Sequence, residues 1–199
     1  MNAPTLLLLI ALTACVGAPS GPPGASAAPA PGPMTNTPTP LFDFEGADAA
    51  TWSVENDGVM GGDSQGFVEV ADGTLVFTGE VVTQGGGFTS VRAEAGADLS
   101  DYDGIELRVR GGGRTFDLDV DDGTRHRGRE VNRQASFPTT GDWQTVRVPF
   151  DGLETTAHGE PVSVDALDRA DVRTLGIYIA DGIDGPFRLE VDWIRAYAE

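Results

Sequence analysis

The chain has no lysine and, in 199 residues, one cysteine, two histidines and three tryptophans. All thirteen basic residues are arginines, against 31 acids, for a formal net charge of −18. That deficit excludes nucleic acid as a partner, because a phosphate backbone demands a basic face. Anionic membrane surfaces are disfavoured for the same reason. A lysine-free acidic surface stays soluble where salt screens charge, and a biased genome composition would leave the same mark. With Cys15 as the sole cysteine, no internal disulfide can form. The leading apolar run, residues 6–12, is far shorter than the roughly 20 residues that a membrane-spanning helix needs. Residues 1–40 carry no charged side chain at all.

What those forty residues do contain is ordered. The apolar run has the length of a signal-peptide core, and Leu12-Thr13-Ala14-Cys15 follows it directly. This tetrapeptide looks like a bacterial lipobox, so residues 1–14 are expected to be a leader and Cys15 the lipidated first residue of the exported protein. One departure is the lack of Lys or Arg in residues 1–5. Residues 16–40 are dominated by Gly, Pro, Ala, Ser and Thr. They have too little apolar surface to fold and are expected to form an extended tether, at up to about 3.1 Å per residue. The expected location is the face of a bacterial membrane, periplasmic or outer, with the lipid on Cys15 as the only membrane contact.

From residue 41 the hydrophobic period is two rather than 3.6. Strands are expected at 41–45, 52–54, 66–70, 74–78, 88–93, 105–109, 116–120, 131–137, 143–150, 174–180 and 187–194. Asp72-Gly73 between two of them is a hairpin signal, and 174–180, nearly all apolar, should be central. Only 163–171 looks helical, with Ser163 as the cap. Residues 41–199 are therefore expected to form one all-β domain, a β-sandwich of the jelly-roll kind with at most one or two short helices.

The most unusual stretch is Asn56-Asp57-Gly58-Val59-Met60-Gly61-Gly62-Asp63-Ser64. Its glycines permit positive φ and close backbone approach, but no Gly-Lys-Ser/Thr follows, so it is not a phosphate-binding loop. Trp52 precedes it. Beyond it come Gly85-Gly86-Gly87-Phe88-Thr89-Ser90-Val91-Arg92, then Leu99-Ser100-Asp101-Tyr102-Asp103-Gly104-Ile105. Leu107-Arg108-Val109-Arg110-Gly111-Gly112-Gly113-Arg114, Trp143-Gln144-Thr145-Val146-Arg147-Val148-Pro149-Phe150 and Gly185-Pro186-Phe187-Arg188-Leu189-Glu190-Val191-Asp192-Trp193-Ile194 complete the series. In this order the pieces resemble the complex I intermediate-associated protein 30 family across essentially 41–198. The resemblance implies a galactose-binding-like β-sandwich and a non-enzymatic binding module. Mitochondrial members of the family act as assembly factors for respiratory complex I. That role does not carry over to an exported lipoprotein, which would not meet the peripheral arm of that complex. Gly112 stands where many members have an acid.

The candidate binding residues are Asn56, Asp57, Met60, Gly61, Gly62 and Ser64 in the loop, with Arg92, Arg114, Arg125 and Arg127. The last two belong to the basic run 125–133, which with Arg114 could receive a carboxylate or sulfate through bidentate contacts or neutralise nearby aspartates. Asp117-Leu118-Asp119-Val120-Asp121-Asp122 fails as a calcium loop, because the sixth and twelfth positions hold Asp122 and Gly128; its aspartates should point outward from a strand. A structural Ca²⁺ near the chain ends, held by Glu45, Asp48 and Asp192, is the one cofactor weighed. Trp143 and Trp193 are expected in the core. No catalytic set is expected: His126 and His158 lie in polar segments, with no obvious base near Ser64 or Ser90.

Three functions follow in order. The first is a lipid-anchored scaffold that binds protein partners in the cell envelope, an assembly factor for an envelope complex. The second is a carbohydrate-binding surface module, and the third a hydrolase with an unrecognised site.

Overall fold

The computed structural model describes residues 37–46 and 51–199, the side chains of Val59 and Met60 excepted. The leader, Cys15 and Asp48 lie outside the described residues, as does most of the tether. Everything below belongs to the compact unit Thr35–Glu199.

Period-two alternation produces two antiparallel sheets, each with one apolar face. The six-stranded sheet runs β11 (Gln144–Pro149), β6 (Gly104–Arg110), β15 (Gly185–Tyr197), β4 (Thr74–Val81) and β3 (Gln65–Ala71). In it, β1 (Thr39–Phe42) pairs with the far end of β15. The seven-stranded sheet runs β13 (Glu160–Pro161), β12 (Glu154–Ala157), β10 (Asn132–Pro138), β7 (Thr115–Asp121), β14 (Val172–Ile179), β5 (Thr89–Ala97) and β2 (Ser53–Asn56). A small hairpin, β8 (Arg125–His126) with β9 (Arg129–Glu130), stands apart. The sheets face each other across Leu75, Phe77, Leu107, Leu118, Ile177 and Leu189, all fully buried. This is the all-β, galactose-binding-like sandwich that the sequence indicated.

Local chemistry sets the joints. Asp72 and Gly73 turn β3 into β4 with φ of 52° and 71°, the two successive positive values that a tight hairpin matching strand twist requires. The apolar stretch 174–180 is indeed central, flanked by β7 and β5.

Three expectations need correction. Residues 163–171 form no α-helix; only Arg169–Asp171 makes a turn of 3₁₀ helix, capped by Asp168 rather than Ser163. The groups that a helix would pair internally are taken elsewhere: Asp122 accepts from the Asp168 N–H (2.8 Å), and Arg133 donates to the Asp165 carbonyl (3.0 Å). Trp143 and Trp193 are half-buried rather than in the core. A register shift between Val191 and Trp193 in β15 moves Trp193 to the outer face, where Arg195 lies 4.1 Å over its ring. Arg110 covers Trp143 at 4.8 Å. The first strand also begins at Thr39, two residues into the expected tether, because Thr39 and Pro40 pair with Ala196 and Arg195.

Candidate functional site

The loop that dominates the sequence is built around its own carboxylate. Asp57 is fully buried, and its oxygens accept from the backbone N–H of Ser64 (3.0 Å), Gly87 (2.7 Å) and Phe88 (3.3 Å). Burial raises its pKa, but these bonds and the Ser64 hydroxyl outweigh burial and hold it below the ordinary carboxylate value. Asn56 accepts from the Gly66 N–H (3.0 Å) and the Thr89 hydroxyl (2.7 Å), tying β2 to β3 and β5. The Ser64 hydroxyl in turn accepts from Val82 N–H at 3.0 Å. Gly61 takes φ +88°, whereas Gly62 is needed for space. The polar groups of Asn56, Asp57 and Ser64 thus hold backbone together, and the side chain of Met60 lies outside the described residues.

The arginines are dispersed. Arg114 grips Asp181 with two nitrogens (2.6 and 2.7 Å) and donates to the carbonyls of Ile183 and Pro186 (2.7 and 3.1 Å), clamping the turn before β15. Arg133 is buried against Asp122 at 2.7 Å. Arg125 is exposed and pairs with Glu130 at 3.3 Å, and Arg127 is exposed at the hairpin tip with φ of 52°. The basic run 125–133 therefore forms no single patch. Of the calcium candidates, Asp192 pairs with Arg108 at 2.9 Å and Glu45 is exposed beside Gly73. No group of three metal-ligating side chains occurs among the described residues.

Arg92 is different. It lies on the outer face of the seven-stranded sheet, where alternation and register bring polar residues into rows. One row reads Ser53, Arg92, Gly176, Asp119, Gln134, Glu154 across β2, β5, β14, β7, β10 and β12. The next reads Glu55, Ser90, Tyr178, Asp117, Ser136. Gly176 is buried in the first row beneath its neighbours; a Cβ there would meet the Tyr178 ring at 3.4 Å and the Asp119 Cβ at 3.5 Å.

Two buried polar atoms on this face have no partner among the described residues, Arg92 Nε and Asp119 Oδ1. The rest of the Arg92 guanidinium bonds the Tyr178 hydroxyl and pairs with Glu55 at 3.3 Å. Burial pushes the Asp119 carboxyl up to about 7, against the lowering effect of Arg92, with Asp121 and Glu130 adding to the rise. Beside it, a shallow cavity of about 420 Å³ is lined by Asp117, Gln134, Ser136, Gly152, Glu154 and Thr156. Carboxylates, an amide and hydroxyls thus line an open cavity, and beside it a buried donor and a buried acceptor are left without partners among the described residues.

Of these groups, sequence reasoning named only Arg92. The alternation of 116–120 did place Asp117 and Asp119 on the outer face. Neighbouring long side chains on a seven-stranded sheet then bury Asp119 to 5% exposure, which a single strand cannot reveal. The histidines do not join this face: His126 sits in the β8–β9 hairpin, and His158 is exposed at the β12–β13 turn.

Known proteins share both the sequence and the fold. Residues 42–191 match the family model for complex I intermediate-associated protein 30. The Mus musculus protein "Complex I intermediate-associated protein 30, mitochondrial" is 30% identical over 108 residues, 51% of this chain and 32% of the mouse protein. The chain thus spans about a third of that relative. Among solved structures, the family 11 carbohydrate-binding module from Clostridium thermocellum, in complex with a β-1,3-1,4-mixed-linked tetrasaccharide, aligns with a TM-score of 0.60 at 15% identity. The alignment covers 81% of this chain and 95% of the module. An agarase aligns at 0.56 and 15% identity over 81% of this chain but only 24% of its own. At such identities the structural likeness establishes the sandwich alone, while the match over 42–191 establishes kinship: the chain belongs to the complex I intermediate-associated protein 30 family.

Proposed function

We propose that this protein is a non-catalytic module that binds a neutral, polyhydroxylated ligand, an oligosaccharide, on the outer face of its seven-stranded sheet. The observation that carries this reading is the open cavity of about 420 Å³ lined by Asp117, Gln134, Ser136, Glu154 and Thr156 on that face, beside the buried Arg92 and Asp119 groups. The cavity's carboxylate, amide and hydroxyl groups offer both donors and acceptors, and a sugar hydroxyl both donates and accepts. Tyr178 supplies ring surface beside them, and Asp117, Gln134, Ser136 and Thr156 extend the hydrogen-bonding floor. Acidic side chains outnumber arginines on this face, which would repel an anionic glycan. A tetrasaccharide bound to a module of the same fold supports the ligand class.

The protein-scaffold reading that the sequence favoured rests now on family membership. Cores of protein interfaces are depleted in charge, and this face is rich in it. In the cell, the Cys15 lipid and the tether would hold the module at the envelope surface, where glycans are abundant. Catalysis is not part of the proposal: Asp119 lies at the floor, and an Asp117 oxygen accepts from the Ser136 hydroxyl.

The test is isothermal titration with a neutral glycan panel that includes the mixed-linked tetrasaccharide. Saturable binding that Asp119→Ala and Arg92→Ala each weaken at least tenfold is the expected result. Binding unchanged in both variants, or none across the panel, overturns the reading.

A further inference from the structure

The edge of the other sheet carries a second surface. Strand β3 closes the six-stranded sheet and pairs only with β4 among the described residues. The Gly66 N–H turns away from β4 and is taken by Asn56 at 3.0 Å. By the alternation of antiparallel pairing, the N–H groups of Val68 and Val70 turn the same way, along an edge where no strand follows among the described residues. Native sheets blunt such edges with short strands, proline or charged side chains, lysine above all. The others here comply: β13 has two residues and Pro161, β2 has four, and β11 carries Arg147 and Pro149. Strand β3 runs seven residues, Gln65–Ala71, without proline or arginine and with Glu69 as its one charge.

It is also where exposed apolar surface collects. Three large hydrophobic residues are exposed among those described, Phe67 at 62%, Ile183 at 55% and Val70 at 37%, and two are on β3. Phe67 stands between two shallow cavities. One, about 410 Å³, is lined by Asp63, Gln65, Thr78, Glu80 and Pro186; the other, about 300 Å³, by Asn56, Gly58, Gly62 and Ser64, with Asp63 and Gln65 shared. Glu69, two residues on, shares the outer face with Phe67.

We infer that β3 is a docking edge for an extended segment of another protein, one that alternates aliphatic and basic side chains. Main-chain bonds to Val68 and Val70 would supply affinity, and the cavities beside Phe67 would take alternate side chains, as in strand addition generally. Asp63, Glu69 and Glu80 select the basic ones. A second copy of this chain is the disfavoured occupant, because each copy carries −18 and the edge is acidic. The edge lies on a different sheet from the proposed glycan face, so either surface can stand or fall alone.

The experiment uses the full chain and a synthetic peptide alternating valine and arginine, at a salt concentration that screens non-specific attraction. The control peptide is N-methylated on alternate amides; it has equal charge but cannot extend a sheet. Hydrogen exchange at Val68 and Val70 should slow with the first peptide only, and N-methylation should weaken binding at least tenfold. Val68→Pro, tolerated where an edge N–H faces out, should abolish binding. Phe67→Arg, a change at an exposed side chain, should weaken it at least tenfold even if the proline variant fails to fold. Equal binding of both peptides, protection elsewhere, or indifference to Phe67→Arg overturns the inference. So does concentration-dependent protection of β3 without peptide, which would make a second copy the occupant.

Discussion

The carboxylate of Asp57 occupies the space where a side chain on Gly62 would begin: a Cβ there would stand 2.2 Å from the Asp57 Cγ. Gly86 closes the other side, its Cβ position 2.5 Å from Asp57 Oδ2. Loop sequence and buried acid are therefore one unit, and Gly62 and Gly61 should respond differently to substitution. Gly62→Ala should lower the melting temperature strongly, because the clash is with a carboxylate fixed by backbone bonds. Gly61→Ala meets nothing within 4 Å and should cost only about 1 kcal/mol, the strain of positive φ. Asp57→Ala strands three backbone donors and should cost about 3–5 kcal/mol. Thermal melts of the three variants check this order.

A second prediction concerns Asp122 and Arg133, whose side chains are 1% and 2% exposed and 2.7 Å apart. Asp122→Ala leaves the guanidinium uncompensated and should cost about 3–5 kcal/mol, about 6–20 °C in a domain of this size. Replacing both partners with apolar residues should recover part of that loss. The pair also holds the irregular segment before Arg169, so proteolysis in 162–168 should rise in the single variant.

Stability should fall as pH rises through neutrality. Asp119 has a folded pKa raised to about 7 by burial, above the roughly 3.9 of an unfolded aspartate. The folded state thus holds an extra proton between about pH 4 and 7, and stability declines with pH across that window. Asp57 and Asp181 have the opposite sign: the first through the Ser64 hydroxyl and its backbone bonds, the second chiefly through Arg114, both are lowered. Their stabilisation is present above the unfolded value and is lost as pH falls through the folded one. The melting temperature should therefore peak on the acidic side of neutrality. Asp119→Asn should flatten the decline between pH 5 and 8; parallel curves for the two proteins would show that Asp119 does not titrate there.

Arg114→Lys tests the clamp on the turn before β15. Lysine keeps the charge but lacks the planar fork that meets both Asp181 oxygens and two carbonyls. The expected result is faster amide exchange across 181–186 with the melting temperature lowered by a few degrees.

How far the sequence reaches is visible in particular residues. Alternation located nearly every long strand, and Asp72-Gly73 located a hairpin, because both signals are local. The juxtaposition of Arg92 and Asp119 was not legible: they lie on β5 and β7 and flank Gly176 only because β14 comes between them. Trp193 was misplaced because one bulge in β15 reverses the face of every residue beyond it. The loop 56–64 stands out in the sequence through its glycines, but the burial of Asp57 does not. Its acid is buried, and a buried acid in a glycine-rich loop announces itself only through the donors that surround it.

The central claim is that the face around Asp119 holds a neutral oligosaccharide, and an NMR titration of the full chain with the mixed-linked tetrasaccharide tests it most directly. The account predicts saturable shifts in the amides of Arg92, Asp117, Asp119, Gly176 and Tyr178, with the β3 edge unmoved and the response lost in Asp119→Ala. No shifts on that face at saturating sugar, or shifts confined to the six-stranded sheet, would contradict it.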